Sequence, residues 1–256
     1  MMMHRTAKVL VLAQVLLAAS AHAQAAAPAE PPKKNLEVSG NAGFAQTNGN
    51  ANALTTNFGN KLKYTLKGWV LGEDLAFFYG EADNKVNANF WNGGVRAERT
   101  LTSRIGLFVA TRFDRNVLQG IASRFEEGFG IDAKLVVAPR DRLSMQLGGS
   151  AFQVNLTPGS TATMKRNFPA ARVGLDYKHN FSELAFFQQT AEYLPTLTES
   201  GVYLVNTESS VVAPLSKRLG LKFGYLVRYN STPPIREEVQ LKKTDTFFSS
   251  GLTFSF

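Results

Sequence analysis

The chain has 256 residues, is 44% hydrophobic and carries a formal net charge of +8. That apolar content is ordinary for a globular protein and too low for a bundle of membrane helices. Cysteine is absent, which excludes disulfides, thiolate metal sites, cysteine nucleophiles and an acylated N-terminal cysteine.

The N-terminus reads as a leader. His4, Arg5 and Lys8 give it a positive start. The apolar stretch Val9 to Ala19 that follows has the length of a signal-peptide core and is too short to anchor in a bilayer. Ala21-His22-Ala23 then supplies a small-residue cleavage site, so residues 1–23 are predicted to be removed. Cleavage takes away Arg5 and Lys8 and lowers the net charge from +8 to +6. The remaining basic residues are scattered, with no Lys/Arg cluster interleaved with aromatics. This argues against nucleic acid and fits contact with anionic lipid head groups. Residues 24–35 are rich in Ala and Pro without apolar periodicity, and are predicted to be a flexible periplasmic linker.

From Leu36 the texture changes to period-two alternation and keeps it to the end. Twelve strands are predicted: 36–46, 53–66, 69–81, 86–100, 105–117, 125–138, 143–155, 168–180, 184–194, 201–215, 219–230 and 244–256. Segment 219–230 is the clearest. Leu219, Leu221, Phe223, Tyr225, Val227 and Tyr229 share one face, and Gly220, Lys222, Gly224, Leu226 and Arg228 share the other. In segments 86–100 and 184–194 both faces mix residue types. Most segments are longer than soluble strands and suit a tilted membrane crossing. Short connections alternate with generally longer ones, the layout of an outer-membrane barrel with periplasmic termini and external loops. The last strand ends Leu252-Thr253-Phe254-Ser255-Phe256. A terminal aromatic on an alternating strand is similar to the signal read by the bacterial barrel-assembly machinery.

A soluble β-sandwich would also alternate. Here, however, the apolar face also carries Trp69, Tyr79, Tyr177, Tyr193, Tyr203 and Tyr229, types that favour the lipid interface. The other face carries glycine and charges of both signs, which a soluble core does not bury. The expected fold is therefore all-β: a transmembrane antiparallel barrel of about twelve strands over residues 36–256, following the cleavable signal peptide. Parity directs Lys61, Lys63, Asp74, Arg112, Asp114, Asp132, Lys134, Arg172, Asp176, Lys178, Lys222 and Arg228 into the lumen, with Phe78, Phe108, Phe152 and Leu226. A stiffening ion-pair network is favoured over an open pore, because a twelve-strand lumen is narrow.

Catalysis has little support. His179 is the one histidine beyond the leader and falls at a short turn, where a solvated role outweighs a general base. No zinc motif is present, and no cofactor is expected. Met164-Lys165-Arg166, Arg236, Lys242 and Lys243 fall in external loops, where solvated charges and lipopolysaccharide phosphates are the two readings. Asp114 and Arg124 flank the loop 118–123, and an ion pair between them is expected to pin that loop across the barrel mouth.

The stretch Phe113 to Gly130 resembles the central signature of the family of salt-induced outer membrane proteins. Asp114, Gly120, Arg124, Gly128 and Gly130 match its pattern of Asp, Gly, Arg and G-x-G. Ile131 stands where that family has Tyr. Gly49-Asn50 is similar to the family's G-N turn. The resemblance covers about Leu36 to Phe256 and implies an outer-membrane location with a salt or osmotic link, without an assigned activity. The expected function is a non-enzymatic narrow channel or structural envelope protein. The alternative is an outer-membrane enzyme that modifies lipid or polymer. Expected partners are outer-membrane lipids, lipopolysaccharide and the assembly machinery, the last through Phe256.

Overall fold

The computed structural model describes residues 35–47 and 53–255. The expected leader, the linker up to residue 34, the Gly49-Asn50 turn and Phe256 lie outside the described residues. In chain order the strands are β1 (Leu36–Thr47), β2 (Ala53–Leu66), β3 (Trp69–Ala82), β4 (Lys85–Thr100), β5 (Ile105–Asn116), β6 (Ile121–Val137), β7 (Asp141–Leu156), β8 (Ser160–Thr161), β9 (Asn167–Asn180), β10 (Phe186–Pro195), β11 (Tyr203–Pro214), β12 (Leu219–Asn230), β13 (Ile235–Arg236), β14 (Val239–Gln240) and β15 (Thr244–Ser255). Twelve of them close a barrel in the order β1-β15-β12-β11-β10-β9-β7-β6-β5-β4-β3-β2. Every pairing is antiparallel, and β1 against β15 makes the seam, for example Gly40 opposite Phe254. An all-antiparallel closed sheet follows from short hairpin connections, and closure leaves no unpaired edge.

Side-chain direction is inverted relative to a soluble protein. On β6 Phe129 is 65% exposed on the outer wall, whereas Glu126 and Asp132, pointing inward, are 7% exposed. The same contrast runs round the barrel through Phe58, Leu71, Phe77, Val95, Val109, Leu147, Phe223 and Phe248, all exposed. An exposed apolar belt this continuous has no stable place in water, and a tilted barrel puts it against hydrocarbon. Aromatic ladders lie on the outer wall at the loop end. Tyr193, Tyr203 and Tyr229 stack with centroids 5.5 Å apart, and Trp91, Phe113 and Phe125 at 4.5 and 4.7 Å.

Two details differ from the sequence expectation. Strand β6 begins at Ile121, not residue 125. A 3-10 turn, Val117–Gln119, closes quickly instead: the Asn116 side chain accepts from the Gln119 N–H, and Gly120 takes φ +71°. Arg124 thus sits inside the strand, opposite Asp114 in register. The pair therefore lies below the loop and does not span the mouth. Secondly, β8, β13 and β14 were not anticipated. They form a three-stranded sheet from the two longest loops, in segments too short to show a period.

Phe223 faces outward and is 45% exposed, whereas Lys222 faces inward, 3.5 Å from Glu208. Phe223→Arg is expected to destabilise the barrel by about 2–4 kcal/mol if it lies near the midplane. Lys222→Ser should cost under about 1 kcal/mol, its partner being a third exposed. Denaturant titration in detergent micelles reads both, and equal losses would contradict the facing assignment.

Candidate functional site

The chemistry-bearing groups converge in the middle of the lumen. Strand β5 presents Arg112, Asp114 and Asn116 inward at alternate positions. Arg124 and Glu126 come from β6, Ser150 from β7, Arg172 from β9, Glu192 from β10 and Arg228 from β12. Arg124 donates from Nε to Asp114 Oδ1 at 2.9 Å. Arg228 Nη1 approaches the other oxygen of Asp114 at 3.6 Å. Strands β5 and β12 lie six places apart on the twelve-strand ring, so this contact bridges opposite walls.

The bridge divides the lumen, and both halves are filled. On one side Phe78, Phe90 and Phe247 pack with centroids 5.3–6.0 Å apart, and the Arg228 guanidinium lies 4.3 Å above the Phe90 ring. On the other side Arg172 bridges Glu126 and Glu192, and the Ser150 hydroxyl donates to Glu126 at 2.8 Å. Arg112 reaches Glu192 at 3.6 Å. Phe90 is fully buried, Asp114 is 3% exposed and Arg228 is 6% exposed. Buried charges survive only when paired, and this network pairs them.

Above this layer, towards the loops, Phe152, Phe168, Ala170, Leu194 and Leu204 form an apolar core with Val154 and Met164 against it. The loop sheet is tied down over it. Arg236 donates to the Val117 carbonyl at 3.0 Å, and Thr163 donates to the carbonyls of Thr232 and Pro233. The space beneath is about 30 Å³, room for about one water. Below the layer, at the turn end, a cavity of about 270 Å³ is lined by Lys63, Arg96, Glu98, Asp132, Gln146 and Asp176, among others. The lumen is thus a polar cup at the turn end, and at the loop end an apolar core fills the part of it beside β7, β9, β10 and β11.

The signature residues fall into this arrangement at three heights. Asp114 and Arg124 belong to the central network. Gly128 faces Ser150, and a Cβ on Gly130 would clash with the Leu147 carbonyl and come within 2.9 Å of the Phe108 ring. Only glycine admits that approach of β6 to β7. Gly120 sits at the lid: besides its positive φ, a Cβ there would meet Ser160 and Leu241. Of the external loop residues singled out in the sequence, Arg236 is used by the lid, and Met164 packs against the apolar core.

Sequence parity had found Arg112, Arg172, Arg228 and Asp114 but not Glu126, Glu192, Arg96 or Glu98, and Arg124 had been singled out by the family pattern and as the partner of Asp114. Glu126 shares the parity of Arg124 and Gly128 and was readable on that ground. Outside the barrel at the turn end, Asp141 accepts from Tyr177 at 2.7 Å and lies 2.8 Å from His179 Nδ1. No serine or threonine hydroxyl bonds to that histidine among the described residues, and no group of three or more potential metal ligands is found among them.

Residues 40–256 match the family described as "Protein of unknown function, DUF481". The chain belongs to that family. Its members' description assigns no activity, so the residues above have no inherited roles. No curated protein matches the chain. Among solved structures it is similar to the NanC porin, at 7% identity and TM-score 0.49 over 86% of this chain and 98% of that one. It is also similar to an anion-selective porin from Comamonas acidovorans, at 11% identity and TM-score 0.40 over 86% and 98%. At these values the likenesses carry no functional weight.

Asp114 and Arg124 have side chains 5% and 10% exposed. A double-mutant cycle with Asp114→Asn and Arg124→Gln is therefore expected to give a coupling of about 1–3 kcal/mol in detergent unfolding, above the ~0–1 kcal/mol of a solvated pair. Additive losses would mean that the two charges act independently.

Proposed function

We propose that the chain is a non-enzymatic protein of the outer membrane whose barrel is closed at rest, a structural envelope component or a narrow channel that opens only on a signal. The observation that carries this reading is the Asp114–Arg228 contact between opposite walls, flanked on both sides by buried side chains. The apolar belt supports membrane insertion, and the expected leader and C-terminal strand support the outer membrane as the destination. A lipid- or polymer-modifying enzyme has less support. The Asp141–His179 pair outside the lumen has no serine or threonine hydroxyl bonded to its histidine among the described residues.

Purified barrel in planar bilayers is expected to show no steady conductance at low voltage. A permanently open ohmic current would reject the closed state. Cell fractionation should place the protein with the outer membrane, and recovery in the soluble periplasm would reject the location.

Phe256 is proposed as the contact with the assembly machinery, and its deletion should lower the amount of assembled barrel without changing synthesis. Lipopolysaccharide is the proposed outer-leaflet partner of the tyrosine ladder and of Lys242 and Lys243. Salt or osmotic stress is the proposed condition of expression. Protein abundance should rise in raised-salt medium, and an unchanged level would remove that link.

A further inference from the structure

We propose that Asp114 and Arg228 form the latch of an ion path along β5, and that they set the sign of the ion it passes when the latch opens. The inference rests on the closed barrel proposed above and names the residues that hold it shut.

The two contacts of Asp114 differ in kind. Towards Arg124 it is a 2.9 Å hydrogen bond between cross-strand neighbours, which moves with the wall. Towards Arg228 it is a 3.6 Å approach across the lumen with no hydrogen bond. Asp114 Oδ2 and Arg228 Nε and Nη1 are buried without a hydrogen-bond partner in the protein, as is Oδ1 of Asn92, the β4 residue opposite Asp114. Buried polar atoms left in this way cost free energy that a hydrated state recovers. This is therefore the layer that gains most when water enters.

Polar groups continue on both sides of the latch. Towards the cup lies Arg112, whose side chain is 33% exposed. Towards the loops lies Asn116, which donates to Asp245 at 3.3 Å, again between distant strands. Arg112, Asp114 and Asn116 thus line one wall of a polar column, faced by Arg228 and Asp245. The rest of the cross-section is aromatic or is locked by Arg172. Separation of Asp114 from Arg228, together with the weaker neutral Asn116–Asp245 contact above it, opens the column.

The charges left behind fix selectivity. Arg112 is held by Glu192 in both cases. Without Arg228, the opening is faced by Asp114, Asp245 and Arg124, a net negative set, and cations are favoured. Without the Asp114 carboxylate, Arg124 and Arg228 face it with Asp245 alone opposed to them, a net positive set, and anions are favoured.

The test uses the full refolded barrel in planar bilayers under a KCl gradient. Folding of each variant is checked by gel mobility before and after heating. Arg228→Ser and Asp114→Asn are both expected to conduct where the unaltered barrel is silent, with reversal potentials of opposite sign: towards the potassium potential for the first and the chloride potential for the second. Lys222→Ser, which loosens the Lys222–Glu208 pair elsewhere in the lumen, should stay silent. If Arg228→Ser does not fold, Arg228→Gln, which removes the charge and keeps a longer polar side chain, takes its place. Folded variants that remain silent, or that share one selectivity, overturn the proposal. Steady current through the unaltered barrel defeats the closed resting state alone, and opposite signs in the two variants would still assign selectivity to the pair.

Discussion

Everything inside this barrel follows from one constraint: twelve strands enclose a lumen narrow enough for side chains on opposite walls to touch. An inward charge has no lipid to avoid and little water to keep it solvated. It must find a counter-charge, on its own strand as Arg96 does in Glu98 or across the lumen, and the second is within reach because the barrel is small. Arg172 meets Glu126 two strands away, Arg112 meets Glu192 four strands away, and Arg228 meets Asp114 six strands away. A wider barrel would hydrate the same charges and leave them apart.

The outer wall obeys the complementary rule, since a polar group facing hydrocarbon must satisfy itself locally. Two outward clusters do so. Asn60 donates to Glu73 at 3.0 Å between β2 and β3. Gln189 donates to Thr207 at 2.6 Å and accepts from Ser209 between β10 and β11. These exceptions explain why alternation alone does not sort every strand. In β10 the outward Gln189 and the inward Gln188, which donates to Asp176, are adjacent and chemically identical. Only their partners on neighbouring strands tell them apart.

That distinction marks how far the sequence could be read. Strands with contrasting faces, such as β12, were legible to the residue: 219–230 is both the predicted and the observed span. Where the faces mix, in β4 and β10, the spans were right to within two residues but the direction of the charges was not assigned. Arg96, Glu98 and Glu192 were missed for that reason. The lid was invisible because two-residue strands have no period. Pairing across the lumen was invisible because it depends on strand order and stagger, which no single strand encodes. The Asp114–Arg124 pair was legible because the two residues flank one hairpin. The same reasoning placed them a few residues too close to the mouth, since the 3-10 turn and the bulge near Asn116 shorten the loop.

The composition of the plug changes along its length, and the change has a physical meaning. Near the loops it is made of Phe152, Phe168, Leu194 and Leu204, and in the middle of arginines and carboxylates. If closure were the only requirement, the apolar solution would serve throughout, because replacing a buried ion network by well-packed hydrophobic side chains is often neutral or stabilising. Stability therefore does not account for the ionic middle layer. On the proposed reading an ionic layer adds a second accessible state, because water can take the place of a charged partner and cannot take the place of an apolar one. The apolar core lies beside β7, β9, β10 and β11 and the Asp114–Arg228 contact lies between β5 and β12, so packing holds one side of the lumen and charge pairing holds the other.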